Sequence, residues 1–205
     1  SPNYSTGGGG FVFVRSGTSW SEQAILVDSN VASNNEWQSV AISSDGTYGV
    51  IGTLHFSSSK GRATVFIRSG TSWTQQAQFT GLANTDYLGG SVSISDDGAT
   101  LAIGAQLDDD AAGNAGSVHV HTRSGTTWSS RMTLTASDAT GSDYLAGGTK
   151  GVDINEDGTL IVAGAIGEDY TPDAVNDVGA VYVFKKNSAN YDIAGATFTA
   201  AEYVH

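Results

Sequence analysis

One phrase occurs four times in this chain: a Gly, an alternating apolar run, a basic residue, a polar turn and an aromatic. It reads FVFVRSGTSW ending at Trp20, ATVFIRSGTSW ending at Trp73, SVHVHTRSGTTW ending at Trp128 and AVYVFKKNSANY ending at Tyr191. Successive copies lie roughly 53 to 63 residues apart, the period of a stacked-repeat fold. The unit that must fold is therefore the repeat.

Each phrase opens with a strand of period two. Thr64 and Phe66 point one way and Val65 and Ile67 the other, and Phe11 with Phe13, or Tyr182 with Phe184, repeats the pattern. The Ser-Gly-Thr that follows supplies a hairpin turn in which Gly takes positive φ at little cost. The returning strand starts at the aromatic and ends in apolar residues such as Ile25 and Leu26, Phe79, Leu134 or Phe198.

Between phrases a second hairpin recurs: SVAISSDGTYGVIG over 39–52, SVSISDDGATLAIG over 91–104 and GVDINEDGTLIVAG over 151–164. Asp45-Gly46, Asp97-Gly98 and Asp157-Gly158 read as two-residue turns between alternating strands. Val40 with Ile42, Val92 with Ile94 and Val152 with Ile154 share one face of the first strand. The second strand is nearly continuous in apolar residues, as in Leu160 to Ala163, which predicts cover on both faces.

Four strands per repeat, joined by hairpins and short loops, predict an all-β fold of β-propeller type, each repeat a four-stranded antiparallel blade. A sandwich would not require the same four-strand phrase to recur, and solenoid coils are much shorter than this period. The chain divides into a Gly/Ser-rich segment (1–9), a half blade (10–29), three blades (30–82, 83–137 and 138–200) and the start of a further repeat or tail (201–205). That makes about three and a half blades in one domain, an arc whose end faces stand in water.

The bulk numbers exclude several function classes. A net charge of −12 with only 9 Lys plus Arg argues against nucleic acid and against an anionic membrane surface. No apolar run approaches the length of a membrane span. The absence of Cys removes thiol and disulfide chemistry without fixing the compartment. The chain begins with Ser1 and reads as a processed or excised segment, with one glycosylation sequon at Asn3-Tyr4-Ser5.

The order of elements resembles the FG-GAP repeats of integrin alpha-chain propellers and of extracellular proteins of algae, protists and bacteria. The residues that carry it are the lead Asp86-Tyr87-Leu88-Gly89-Gly90 (or Asp143-Tyr144-Leu145), the SVSIS strand, the DG turn, LAIGA, the Asp-rich loop from Leu107 to Asp110, and Gly-Ser-Val-His-Val. The variant with an RSGTTW-like hairpin is the most similar. The Phe-Gly is replaced by Leu88-Gly89 and Leu145-Ala146, and the Gly-Ala-Pro survives only as Gly104-Ala105-Gln106 and Gly164-Ala165-Ile166. The resemblance implies an extracellular or cell-surface location and blades of which this chain holds about half a ring.

The resemblance also implies calcium as the one cofactor to consider, bound through a D-x-[DN]-x-D-G-x-x-D loop. Asp153, Asn155 and Asp157 match its first half, but Ile161 stands where the last Asp belongs, and the sister blades carry Ala41, Ser43 and Asp45 or Ser93, Ser95 and Asp97. A plain hairpin turn is the simpler reading. Asp108, Asp109 and Asp110 with Asn114, and Glu168 and Asp169 with Asp173, Asn176 and Asp177, form acidic loops on one rim, either merely solvated or a contact surface. His119 and His121 face one side of a strand but replace aromatic packing residues. Trp20, Trp73 and Trp128 recur once per repeat, as packing residues do.

No nucleophile elbow, zinc-protease motif or phosphate loop is present. The expectation is a non-enzymatic structural or adhesion module. Its blades form the scaffold, its loops touch a protein partner or further copies of itself, and its fold is completed by more chain or by self-association. The alternative is a lectin-like carbohydrate-binding propeller, in which Trp37, the one Trp outside the phrase, is the first residue to test for stacking on sugar.

Overall fold

The computed structural model describes residues 9–29, 37–169, 178–187, 191–193 and 198–199. The sequon, Asp173, Asn176, Asp177 and the segment 201–205 lie outside them. The fold is all-β, and its antiparallel strands fall into four sheets, none closed on itself.

The first sheet has two strands, β1 (Gly10–Ser16) and β2 (Ser19–Leu26). The second runs β3 (Trp37–Ile42), β4 (Tyr48–Thr53), β5 (Arg62–Ser69) and β6 (Ser72–Thr80) in chain order. In the third, β7 (Leu88–Ile94), β8 (Thr100–Ala105) and β9 (Ser117–Ser124) are followed by β10 (Thr127–Trp128) and β11 (Met132–Leu134), both on β9. The fourth repeats this with β12 (Val152–Ile154), β13 (Leu160–Ala165) and β14 (Ala180–Lys186), then β15 (Tyr191–Ile193) and β16 (Phe198–Thr199), both on β14.

Each complete sheet is thus a DG hairpin followed by a second hairpin, called the GT hairpin after the Gly-Thr turn it has in the first three sheets. In the GT hairpins Ser16 pairs with Ser19, Ser69 with Ser72 and Ser124 with Thr127, leaving Gly-Thr as a two-residue loop. Gly17, Gly70 and Gly125 have φ of 61 to 62°, the geometry of a type II′ turn with Gly first.

The DG loops are longer than the sequence suggests. Ser43 N–H donates to Tyr48 O, and Gly46 N–H to Ser43 O, so four residues lie between the closing pair, and the same bonds recur at Ser95/Thr100 and Asn155/Leu160. Only the Gly takes positive φ; the Asp instead accepts the N–H two residues on, at Thr47, Ala99 and Thr159. Ser44 N–H donates to Asp96 O and Asp96 N–H to Glu156 O, which links the three loops at one end of the stack.

Three apolar clusters hold the sheets together, one per junction. Leu26, Val12 and Ala24 of the first sheet meet Ile51, Phe66 and Trp73 of the second. Val50 and Val65 of the second meet Val92, Ile94, Leu101 and Ile103 of the third. Val118, Val120 and Leu134 of the third meet Val152, Ile161, Tyr182 and Phe184 of the fourth. The even side chains of each strand therefore serve one neighbour and the odd ones the other.

That pattern explains which apolar residues are exposed. Phe66, His121 and Phe184 occupy one position of the repeat and are buried, whereas Phe13 at the same position of the first sheet is 53 % exposed because no described sheet precedes it. At the other end the expectation of cover on both faces fails for β13. Val162 is 40 % exposed although its counterparts Val50 and Ala102 are buried, since no described sheet follows the fourth.

Candidate functional site

Polar groups inside a sheet stack must be satisfied there. The position filled by Phe11 in the first sheet holds Thr64, His119 and Tyr182 in the other three, and all three are buried. Each meets a carboxylate at the end of the stack opposite the DG loops. In the first junction Asp28 Oδ2 accepts from Arg62 Nη1 at 2.9 Å and Thr64 Oγ1 at 2.9 Å, and its Oδ1 from Gln78 Nε2 at 2.6 Å.

In the second junction Asp108 Oδ2 accepts from Ser117 Oγ at 2.7 Å and lies 3.2 Å from His119 Nε2, while its Oδ1 accepts the Asp110 N–H at 2.9 Å. In the third, Tyr182 Oη lies 2.7 Å from Asp138 Oδ1 and 3.1 Å from Glu168 Oε2. Asp86 and Asp143, one per repeat, accept the N–H groups of Ala83 and Thr140 beside these sites.

Asp108 and Glu168 differ in charge state for physical reasons. Burial pushes Asp108 up, but hydrogen bonds from His119, Ser117 and the Asp110 N–H outweigh it and hold the group at about 2. Burial, then the charge of Asp143, pushes Glu168 up to about 7. A neutral Glu168 also supplies the second proton that its shared contact with Tyr182 and Asp138 requires, because one hydroxyl proton serves one acceptor. Asp86 is raised by burial and by Asp108.

These states set the pH dependence of stability. Glu168 holds a proton in the native state between 4.5 and about 7 that the unfolded chain has lost, so its contribution falls as pH rises through that window. His121 works in the opposite sense: burial lowers it from 6.5 to about 4, so its contribution is lost as pH falls through that range. The wild-type melting temperature is therefore expected to change little from pH 5 to 6.5. Glu168→Gln unmasks a rise with pH, and His121→Phe, the residue of the sister sheets, unmasks a fall. Each slope is at most about 1.4 kcal/mol per pH unit. Parallel profiles for the two variants, measured by thermal melts, would refute the assignment.

The candidate contact residues separate into two groups. Asp108 and Glu168 are buried in the junctions and are not available as a contact surface, a correction to the acidic-rim expectation. Asp109, Asp110 and Asp169 are exposed. Trp37 begins β3, at the edge of the second sheet. His121 stacks on Phe79 at 3.8 Å between ring centroids, and His119 pairs with Asp108, so the two histidines are packing residues with separate partners. Trp73 Nε1 donates to Gln23 and Trp128 Nε1 to Gln76, each in the preceding sheet, so both act as clips between sheets. Trp20, with no described sheet before it, is 65 % exposed.

The calcium donor set does not fit an ion. Asn155 Oδ1 accepts the Leu160 N–H, the place that Ser43 Oγ and Ser95 Oγ take towards Tyr48 and Thr100. Asp157 Oδ1 accepts from Thr159 N–H and Oγ1, and Asp153 Oδ1 accepts from Ser93 Oγ of the third sheet at 2.7 Å. The half-motif is thus a turn plus a sheet junction. Among the described residues no three carboxylates or imidazoles gather as metal ligands.

The junction carboxylates Asp28, Asp86, Asp138 and Asp143 were not visible as site residues in the sequence. The available signal was the polar Thr64, His119 and Tyr182 in strands that are otherwise buried and apolar, since a buried polar side chain demands a partner.

Residues 73–121, from the Trp73 clip through the DG hairpin to His121, match the family model of the FG-GAP repeat. The chain carries an FG-GAP repeat. No curated protein matches the chain. A solved structure of a candidate 6-phosphogluconolactonase from Bacteroides fragilis is 12% identical with a TM-score of 0.55, covering 82% of this chain and 40% of that one. A second, from Bacteroides uniformis, is 15% identical with a TM-score of 0.49, covering 78% of this chain and 40% of that one. The chain spans 40% of the length of these structures, and at such identity the likeness to the first is one of fold alone. Among the described residues no helix is long and apolar enough to cross a membrane.

Proposed function

We propose that this FG-GAP chain is a non-enzymatic extracellular scaffold of the adhesion type. In this reading its sheets are successive blades of a propeller-like arc, its exposed loops are contact surfaces for a protein partner, and the arc is completed by further repeats. The observation that supports this best is the uniform use of the buried ionisable groups. The buried Asp28, Asp108 and Glu168 each make hydrogen bonds inside a sheet junction, joined at Tyr182 by the exposed Asp138, which is the work of a scaffold. An acid or base for catalysis needs instead a substrate-sized opening beside it. One groove among the described residues, about 240 Å³, is lined by apolar residues, and another, about 220 Å³, has Asp153 as its one titratable side chain, which accepts a hydrogen bond from Ser93 across the sheet junction.

The test uses the purified chain in two assays. Incubated with 6-phosphogluconolactone, it is expected to leave hydrolysis at the buffer rate, and an acceleration abolished by Glu168→Gln would overturn the non-enzymatic reading. Beads coated with the chain are expected to adhere to extracellular matrix from the producing cells. Reversing Asp109, Asp110 and Asp169 to Lys should weaken that adhesion without lowering the melting temperature. Uncoated beads adhering equally well would overturn the adhesion reading.

A further inference from the structure

The geometry points to the groove beside β1 as the seat of one more DG hairpin, donated by an FG-GAP repeat outside residues 9–199. This deepens the scaffold reading and rests on its view of the sheets as successive blades.

One pair of residues in the first strand of the DG hairpin recurs from sheet to sheet. Val92 and Ile94 of β7 are 4 % and 7 % exposed because β3 and β4, the DG hairpin of the preceding sheet, pack over them. Val152 is covered in the same way by β7 and β8. Val40 and Ile42, the same pair in β3, are 64 % and 59 % exposed. What should lie over them is the DG hairpin of the first sheet, and among the described residues that sheet consists of its GT hairpin alone.

The strand edge gives the same answer independently. β5, β9 and β14 each carry a partner on both sides, the DG hairpin on one and the GT return on the other. Among the described residues their counterpart β1 pairs only with β2. One row of its backbone N–H and C=O groups is therefore open to an antiparallel strand, as β4 pairs with β5. The groove between this edge and Val40, Ile42, Gly49 and Ile51 has a volume of about 240 Å³.

A hairpin seated there would pair its second strand with β1 and lay alternate apolar side chains over Val40 and Ile42. Its expected chemistry is that of the hairpins already filling this position: Ser-Val-x-Ile, a DG loop, and a second strand of small apolar residues. A second copy of this chain does not supply it. β4, β8 and β13 are each already paired on both sides, so a copy could donate a hairpin only by breaking one of its own sheets.

The test grafts a second copy of residues 88–105 ahead of Ser1 of the full chain, with residues 1–9 as the connection. The expected result is at least a tenfold slowing of hydrogen exchange at the β1 amides and a melting temperature raised by several degrees. A shuffled version of the grafted segment should give neither. Val40→Asp lies on an exposed site, so the ungrafted variant should melt near the wild type while the grafted one loses the gain. Unchanged exchange at β1 in a folded grafted protein would overturn the inference, as would a gain that survives Val40→Asp. Light scattering showing an ungrafted dimer with β1 already protected would also overturn it, by making a second copy the occupant. Lactone hydrolysis and bead adhesion are read on the ungrafted chain, so this inference and the scaffold reading can fail separately.

Discussion

Replacing Gly61 or Gly116 by Ala is expected to remove about 4 kcal/mol or more of folding stability, whereas the same change at Gly179 should remove only about 1. The three glycines open their repeat phrases at equivalent positions and share one backbone geometry, with φ of +76, +77 and +75°. Strain from an L side chain in this region is therefore common to all three. What differs is the neighbour. A Cβ on Gly61 would stand 2.0 Å from Leu88 O and 2.4 Å from Leu88 N, and one on Gly116 would stand 2.5 and 2.6 Å from Leu145 O and N.

Those atoms belong to the next sheet, so no side-chain rotation relieves the clash. Gly61 and Leu88, and Gly116 and Leu145, form bridges where the two backbones pass. Ala would force the sheets apart along the junctions that bury Leu88 and Leu145. At Gly179 the nearest atom is Ala165 O at 3.4 Å, within the same sheet, so only the strain remains. Urea unfolding of the three variants measures the contrast. Equal losses at all three would assign the effect to strain and refute the close approach of the sheets.

This contrast also shows what could be read without coordinates. The strand order, the turn glycines and the Val-x-Ile faces were legible because they recur at fixed offsets and each obeys a local rule. The DG loop length was not. Its Asp avoids positive φ by accepting the N–H of Thr47, Ala99 or Thr159, a choice between two turn chemistries that the dipeptide leaves open. The junction network was hidden for a different reason. Thr64, His119 and Tyr182 share a position and a role but no chemistry, and their partners come from segments 11 to 44 residues away. Asp108 and Glu168 looked like members of acidic loops because the sequence does not show which carboxylate turns inward.

Asp28→Ala is expected to cost about 3–5 kcal/mol, because it strands the Arg62 guanidinium and the Thr64 hydroxyl inside the first junction. Arg62 and Thr64 are both buried, and one carboxylate oxygen serves both, so removing it leaves two polar groups without that acceptor. Replacing both members, as in Asp28→Ala with Arg62→Met, should recover part of the loss, since the uncompensated charge is then gone. The first sheet makes this loss more than local. A two-stranded hairpin is marginal by itself, and β1 and β2 depend on the contacts of Leu26, Val12 and Ala24 with the second sheet. The single variant should therefore release β1 and β2 first, seen as fast hydrogen exchange there while β8 and β9 stay protected. Uniform loss of protection across all sheets would instead mean that the arc unfolds as one unit. In the first case the grafted hairpin should lose its stabilising effect although Val40 and Ile42 are untouched, because the edge it pairs with is no longer held over them.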